Sequence, residues 1–149
     1  MPLDQSYVGR SYPPTEPYQV GREKIREFAR AIGDYNPAYH DVEAAQKLGH
    51  PDIIAPPTFP VIVSFLASRA LIADPELGID YGRVVHGEQR FVYARPVRAG
   101  DNLTAVLTVE NVRVAAGNDL LSTRAEISTV EGEPVLTAYS VTVVRGEGK

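Results

Sequence analysis

The hydrophobic pattern of this chain changes period once. Up to about Pro75 the apolar residues recur at helical spacing, and after Tyr81 they alternate as strands do. A chain that lays down helices first and strands afterwards must pack one layer on the other, which predicts an α+β fold with a single antiparallel sheet. The helical part contains two kinds of segment. From Gly21 to Ile32, the residues Ile25, Phe28, Ala29 and Ile32 share one face while Lys24, Glu27 and Arg30 point away, so this helix is expected to pack along one side. It stops at Gly33, the residue type suited to a left-handed C-terminal cap. A second, short helix is expected from Val42 to Leu48. Pro56-Pro57-Thr58-Phe59-Pro60 then opens a segment that is apolar nearly all round, through Val61, Ile62, Val63, Phe65, Leu66, Ala70 and Leu71. Proline suits the first turn of a helix, and an apolar circumference predicts burial on most sides.

The second part reads as four strands, from Val84 to Ala94, Leu103 to Glu110, Leu120 to Ile127 and Val135 to Val144. Turns separate them at Arg95 to Asp101, at Gly117-Asn118-Asp119 and at Glu131-Gly132-Glu133-Pro134. A short strand around Tyr18 to Val20 is expected to join the same sheet. So apolar a helix is best covered by a sheet curled around it, the hot-dog arrangement of an antiparallel sheet wrapped around a long central helix. With 149 residues, 44% of them apolar, and no repeat or linker, the chain reads as one domain over residues 1–149.

Composition removes several function classes. The 15 basic and 19 acidic residues leave a formal charge of -4, which offers no general attraction to nucleic acid or anionic lipid. Cysteine is absent, excluding disulfides, thiolate metal sites and a cysteine nucleophile. The first residues, Met-Pro-Leu-Asp-Gln-Ser, lack the basic start and apolar run of a signal peptide. The longest apolar stretch, Phe59 to Ala73, is broken by Ser64, Ser68 and Arg69 and is too short for a bilayer. A cytoplasmic protein is expected.

The chemistry concentrates in Gly33-Asp34-Tyr35-Asn36-Pro37-Ala38-Tyr39-His40-Asp41. Asp34 and His40 flank a proline turn between two helices, where a scaffold can hold side chains against a ligand. A carboxylate and an imidazole, which in water titrates near ~6.5, are the parts of an acid/base pair. The same segment also meets the needs of a helix stop and turn, with Asp34 or Asn36 bonding nearby backbone N–H groups. Turn geometry gives no reason for His40. His50 suits a surface or hydrogen-bonded role. His86, beside Gly87, suits a close backbone approach or a subunit contact. Arg90, Arg95 and Arg98 form either a solvated edge or contacts to the phosphates of coenzyme A or an acidic carrier protein. A sheet of this kind leaves an edge strand open, so a dimer is expected, either a homodimer or a heterodimer with a different subunit.

Three ordered motifs carry a family resemblance: Gly33-Asp34-x-Asn36-Pro37-x-x-His40-Asp41, Ala55-Pro56-Pro57-Thr58-Phe59, and Phe91-x-x-x-x-Pro96-Val97-x-x-Gly100-Asp101. Together they resemble the MaoC-like family of R-specific enoyl hydratases and dehydratases. Val8-Gly9-x-x-Tyr12 and Glu23-Lys24-Ile25-Arg26-Glu27 resemble the short subunits of the (3R)-hydroxyacyl-ACP dehydratases of mycolic-acid synthesis. The resemblance implies reversible syn addition of water to a trans-2-enoyl thioester carried by coenzyme A or acyl carrier protein, with no metal or redox cofactor. It implies His40 as base and Asp34 as the group that orients water and relays the proton to or from carbon 2. Asn36 would hold the loop or the His40 ring; Tyr35 and Tyr39, within the same motif, either line the pocket or pack against the sheet. Pro57 and Thr58 would stand at the thioester oxygen, where Thr58 offers an N–H and a hydroxyl.

Two departures from the family pattern bear on activity. The compact hydratase form is Asp-x-Asn-Pro-x-His; this chain has one residue more, and strict register places Tyr39 at the His position. Where single-chain hydratases tend to have His-Gly, this chain has Pro56-Pro57, and proline has no N–H to offer an oxyanion. In the related heterodimeric dehydratases one subunit carries the dyad and the other shapes the acyl channel. The resemblance therefore implies either a hydratase using Asp34 and His40, or a non-catalytic acyl-binding partner in a heterodimer with a second MaoC-like subunit. A hot-dog thioesterase is a third reading.

Overall fold

The computed structural model describes residues 3–147. Its helices are α1 (Arg22–Ala31), α2 (Val42–Lys47) and α3 (Val61–Ile72); its strands are β1 (Tyr18–Gln19), β2 (Val84–Tyr93), β3 (Asn102–Ala115), β4 (Asn118–Thr129) and β5 (Pro134–Val144). The strands form one antiparallel five-stranded sheet in the order β1-β3-β4-β5-β2, curled around α3 as the hot-dog plan requires.

The inward face of β3 follows the sequence alternation, with Leu103, Ala105, Leu107 and Val109 all buried. A bulge between Val109 and Asn111 then shifts the phase, so the next buried side chain is Val112. Both β3 and β4 extend past the alternating residues, because their ends form a tight hairpin around Ala116 and Gly117. Those two residues have φ of 51° and 78°, as a two-residue turn that matches strand twist demands. Asn118 and Asp119, expected in the turn, already belong to β4. Gly87 lies in a bulge of β2 between His86 and Glu88, where an added Cβ would come within 3.0 Å of Val143 Cγ2 and 3.1 Å of the Val141 carbonyl oxygen.

Helix α3 is shorter and less enclosed than its sequence predicts. It has 12 residues, and its own sheet buries only the face bearing Val63, Ser64, Ala67 and Leu71. Phe65, on the other side, is 53% exposed. A single curled sheet covers one side of a helix, and the uncovered side of α3 forms with Tyr81, His86 and Ser140 a largely apolar groove of about 870 Å³. Helix α1 buries Ile25 and Ala29 as expected, but Ile32 is half exposed because it caps the helix just before the chain reverses at Gly33.

One sheet edge is covered and the other is open. Gly9, Tyr12 and Thr15 donate backbone bonds to the carbonyls of Val109, Leu107 and Ala105, so the N-terminal segment runs along β3 beyond β1. It is pinned where the Tyr7 and Tyr12 hydroxyls donate to Asp74 Oδ2 at 3.2 and 3.0 Å, with the Arg10 guanidinium 3.7 Å away. Burial by itself pushes the Asp74 carboxyl up, but the bonds from Tyr12, the Glu76 N–H and Tyr7 outweigh it and hold the carboxyl below its usual range. A carboxyl with a lowered folded pKa stabilises the fold above its unfolded value near ~3.9, and that contribution is lost as pH falls through the folded value. Asp74→Asn is therefore expected to melt below the wild type at neutral pH, with the gap closing below pH ~4 in melts taken across pH.

The β2–β3 connection holds a buried carboxylate, Asp101. Arg95 donates two parallel bonds to Asp101, each 2.9 Å, and pairs also with Glu133, while the Arg98 N–H donates to Asp101 Oδ2 at 2.9 Å. Arg95 is thus committed inside the fold, and the Arg90 guanidinium lies over the Tyr139 ring, 4.1 Å from its centroid. Of the three arginines considered for phosphate contacts, Arg90 and Arg95 are thus engaged with different partners.

Candidate active site

Local backbone chemistry shapes the loop between α1 and α2. The Gly33 N–H bonds the Arg30 carbonyl and the Asp34 N–H bonds that of Ala29, a left-handed stop with Gly33 at φ 74°. Asp34 Oδ1 accepts from the Asn36 N–H at 3.2 Å, and Asn36 Oδ1 accepts from the Ala38 N–H at 3.0 Å, capping the single turn Pro37–Tyr39. Asp41 then caps α2 through the Glu43 and Ala44 N–H groups. The side chains of Asp34, Asn36 and Asp41 therefore each serve a turn or a cap.

The His40 ring is held on this loop by its Nε2, 3.1 Å from the Asp34 carbonyl oxygen. A carbonyl only accepts, so Nε2 carries a hydrogen directed at it. The bond joins the imidazole to the backbone of Asp34 and not to its carboxylate. Tyr35, 71% exposed, stacks on the ring at 6.1 Å and 17°, and Arg26 Nε donates to the His40 carbonyl at 3.0 Å.

Tyr39 is the side chain that turns inward, with 8% of its surface exposed. Burial, and then the charge of Asp34, push its phenol pKa up. Facing it is Tyr93 at the end of β2, whose phenol is likewise pushed up by burial and by Tyr39, and whose hydroxyl donates to the Pro57 carbonyl at 2.6 Å. Sequence reasoning missed Tyr93. An aromatic residue in a strand reads as packing, and nothing local to it announces a bond to a loop 36 residues away.

Backbone bonds bring the three motifs together. The Ile54 N–H bonds the Ala38 carbonyl at 3.1 Å, and the Ala55 N–H bonds the Val97 carbonyl at 2.7 Å. The acid loop, the Pro56-Pro57-Thr58 turn and the Arg95–Asp101 clamp therefore share one end of the molecule. Pro57 and Thr58 are exposed there, and among the described residues none accepts a bond from the Thr58 N–H or hydroxyl. His50 and His86 lie apart from the loop: the His50 N–H closes the end of α2 on the Ala45 carbonyl, and the His86 ring meets Phe65 edge-on at 5.8 Å. No helix among the described residues is long and apolar enough to cross a membrane.

A curled sheet around one helix, with an Asp/Asn/Pro loop beside the helix entry, defines a hot-dog domain of the MaoC-like dehydratase and hydratase class. Residues 6–138 match the FAS1-like dehydratase domain region, and the chain belongs to that family. It is 62% identical over 145 residues to UPF0336 protein SCO4636 of Streptomyces coelicolor, covering 97% of each chain. Among solved structures it is similar to a chain of the HadBC (3R-hydroxyacyl-ACP dehydratase) complex of Mycobacterium tuberculosis, at 34% identity and a TM-score of 0.84 over 96% of this chain and 99% of that one. It is also similar to a MaoC-like dehydratase at 34% identity and a TM-score of 0.87, covering 95% of this chain and 43% of that longer one.

Proposed function

We propose that this chain is the acyl-binding subunit of a two-chain R-specific enoyl-thioester hydratase, or equally (3R)-hydroxyacyl-thioester dehydratase, whose acid/base pair comes from a second hot-dog chain. The observation that carries this reading is the state of the acid loop: its imidazole donates Nε2–H to the loop's own backbone, and a tyrosine takes the inward place. Water adding to carbon 3 must lose a proton to a base, and carbon 2 must gain one. A loop whose imidazole faces its own turn, with a phenol inside, is poorly arranged to supply both transfers. Binding groups are present: the Thr58 N–H and hydroxyl stand free to meet the thioester oxygen, and the apolar groove beside α3 suits an acyl chain. The open β2 edge, with Val85, Val92 and Tyr93 exposed, supports pairing with another sheet, as does similarity to a chain of the HadBC complex. The carrier is coenzyme A or acyl carrier protein, and the setting is the cytoplasm.

The purified chain alone is expected to leave the conjugated absorbance of short and long trans-2-enoyl thioesters unchanged. Adding a hot-dog chain with the compact Asp-x-Asn-Pro-x-His spacing should bring hydration. A second reading, hydration by Asp34 and His40 themselves, is favoured by their placement on one half-buried loop. It wins if the chain alone turns over and both Asp34→Asn and His40→Ala abolish the rate. Release of free thiol would instead identify a thioesterase.

A further inference from the structure

We infer that the N-terminal segment from Gln5 to Thr15 is an edge terminator, which leaves this sheet a single strand edge, β2, through which to pair with another chain. Strand β3, at 14 residues the longest of the sheet, would otherwise stand open, because β1 pairs only with its Asn102 and Leu103. The N-terminal segment takes over from there. The Ala105, Leu107 and Val109 carbonyls accept from the Thr15, Tyr12 and Gly9 N–H groups at 3.0, 2.9 and 2.8 Å, and the Val109 N–H returns a bond to the Arg10 carbonyl. Side chains add to this backbone pairing. Thr15 Oγ1 accepts from the Ala105 N–H, the Ser11 and Thr108 hydroxyls meet at 2.8 Å, and Gln5 Nε2 donates to the Val112 carbonyl at 2.6 Å.

Covering an edge only moves the exposed row of donors outward by one strand, unless the cover itself cannot pair. Here it is unsuited to pairing. Between the inward bonds of Tyr12 and Thr15 stand only Pro13 and Pro14, both exposed and neither carrying an N–H, and Pro17 follows before β1. On the other side Gly9, at φ 89°, takes the chain out of strand conformation. The cover is also fastened away from the sheet. The Tyr7 and Tyr12 hydroxyls both reach Asp74 just past α3, and the Arg10 guanidinium lies over the Tyr7 ring, 3.8 Å from its centroid. Strand β2 has no such device: it bonds β5, and among the described residues no backbone segment bonds its other side. Two open edges on one sheet permit growth without end, whereas one open edge pairs once. The chain is therefore built to stop at two sheets.

The test is the mass of the full chain in sedimentation velocity over a wide range of concentration. The wild type should never exceed two chains. Tyr12→Pro combined with Thr15→Pro removes both donated N–H groups, the Thr15 hydroxyl and the Tyr12 anchor on Asp74, so the segment should come away and β3 should pair with further copies. The mass should then pass two chains and rise with concentration. Hydrogen exchange shows the release directly. The Ala105 and Val109 amides, which donate to the segment, should exchange about tenfold or more faster than in the wild type, with β4 and β5 still protected. A released segment in a folded chain that stays at two chains or fewer overturns the inference, as does a wild type that grows past two. If this variant does not fold, or keeps its segment in place, Pro13→Thr combined with Pro14→Thr decides. Both prolines are exposed, so that change leaves the packing intact while giving the cover two N–H donors. Its mass should pass two chains, and a double variant no larger than the wild type overturns the inference. None of these residues belongs to the acid loop or to the turn at Thr58, so failure here leaves the acyl-binding reading standing.

Discussion

Asp101→Ala is expected to destabilise the chain by about 3–5 kcal/mol, the range for breaking a buried ion pair from one side. Asp101 is 7% exposed and accepts three bonds, two from Arg95 and one from the Arg98 N–H. Removing it leaves a largely buried guanidinium with only Glu133 and the Pro96 carbonyl as partners, and Glu133 is itself half exposed. The loss is chiefly the desolvation of an abandoned charge, so Arg95→Ala combined with Asp101→Ala should cost less than the sum of the two single changes. Urea denaturation of the single and double variants measures this coupling. The damage should also reach the site. The clamped turn carries the Val97 carbonyl that receives the Ala55 N–H, one residue before Pro56-Pro57-Thr58. Under the two-chain reading, the paired enzyme should then lose rate at temperatures where the Asp101→Ala subunit is still folded. An additive double variant would show that the pair contributes no buried coupling.

The fold was legible because its signals are local and periodic. The alternation of β3, the glycine stop of α1 and the crowding at Gly87 all appear where the sequence places them. Errors arose where a long-range partner decides. The apolar circumference of α3 correctly marked it as the central helix, but pattern alone does not say how much of that circumference the chain's own sheet covers. Arg95 looked like one of three surface arginines because its partners, Asp101 and Glu133, lie in a turn and on a distant strand connection. In the candidate site, the acid loop was visible from its turn residues, yet the sequence names both Tyr39 and His40 and does not say which faces inward. That choice depends on one residue of loop length, which the backbone bonds of residues 33–41 resolve. Tyr93 carried no local signal at all, since a bond between a strand end and a loop carbonyl has no period.

Phe59→Ala is expected to cost about 3–5 kcal/mol, as truncation of a fully buried aromatic does. Phe59 has no exposed surface, and its ring meets Phe28 of α1 edge to face at 5.4 Å and 72°. This contact joins the helix that precedes the acid loop to the turn that starts α3, so the cavity left by truncation would lie between the two halves of the candidate site. Backbone bonds from the Phe59 N–H to Pro56 and from the Ile62 N–H to Phe59 survive the change, which confines the damage to packing. The informative control is Phe65→Ala, six residues further along the same apolar segment. Phe65 is 53% exposed, and in the isolated chain its truncation should shift stability by no more than about 0.5 kcal/mol. The two phenylalanines are indistinguishable by hydrophobicity, so a large difference in melting between their variants would measure how one-sided the burial around α3 is. Under the two-chain reading the order should change when association is measured instead. Phe65→Ala should then weaken binding of the partner chain, because a large apolar side chain left at an open groove gains most when a second surface covers it. If Phe65→Ala destabilises the isolated chain as much as Phe59→Ala, the groove is closed in solution, and the case for a covering partner fails.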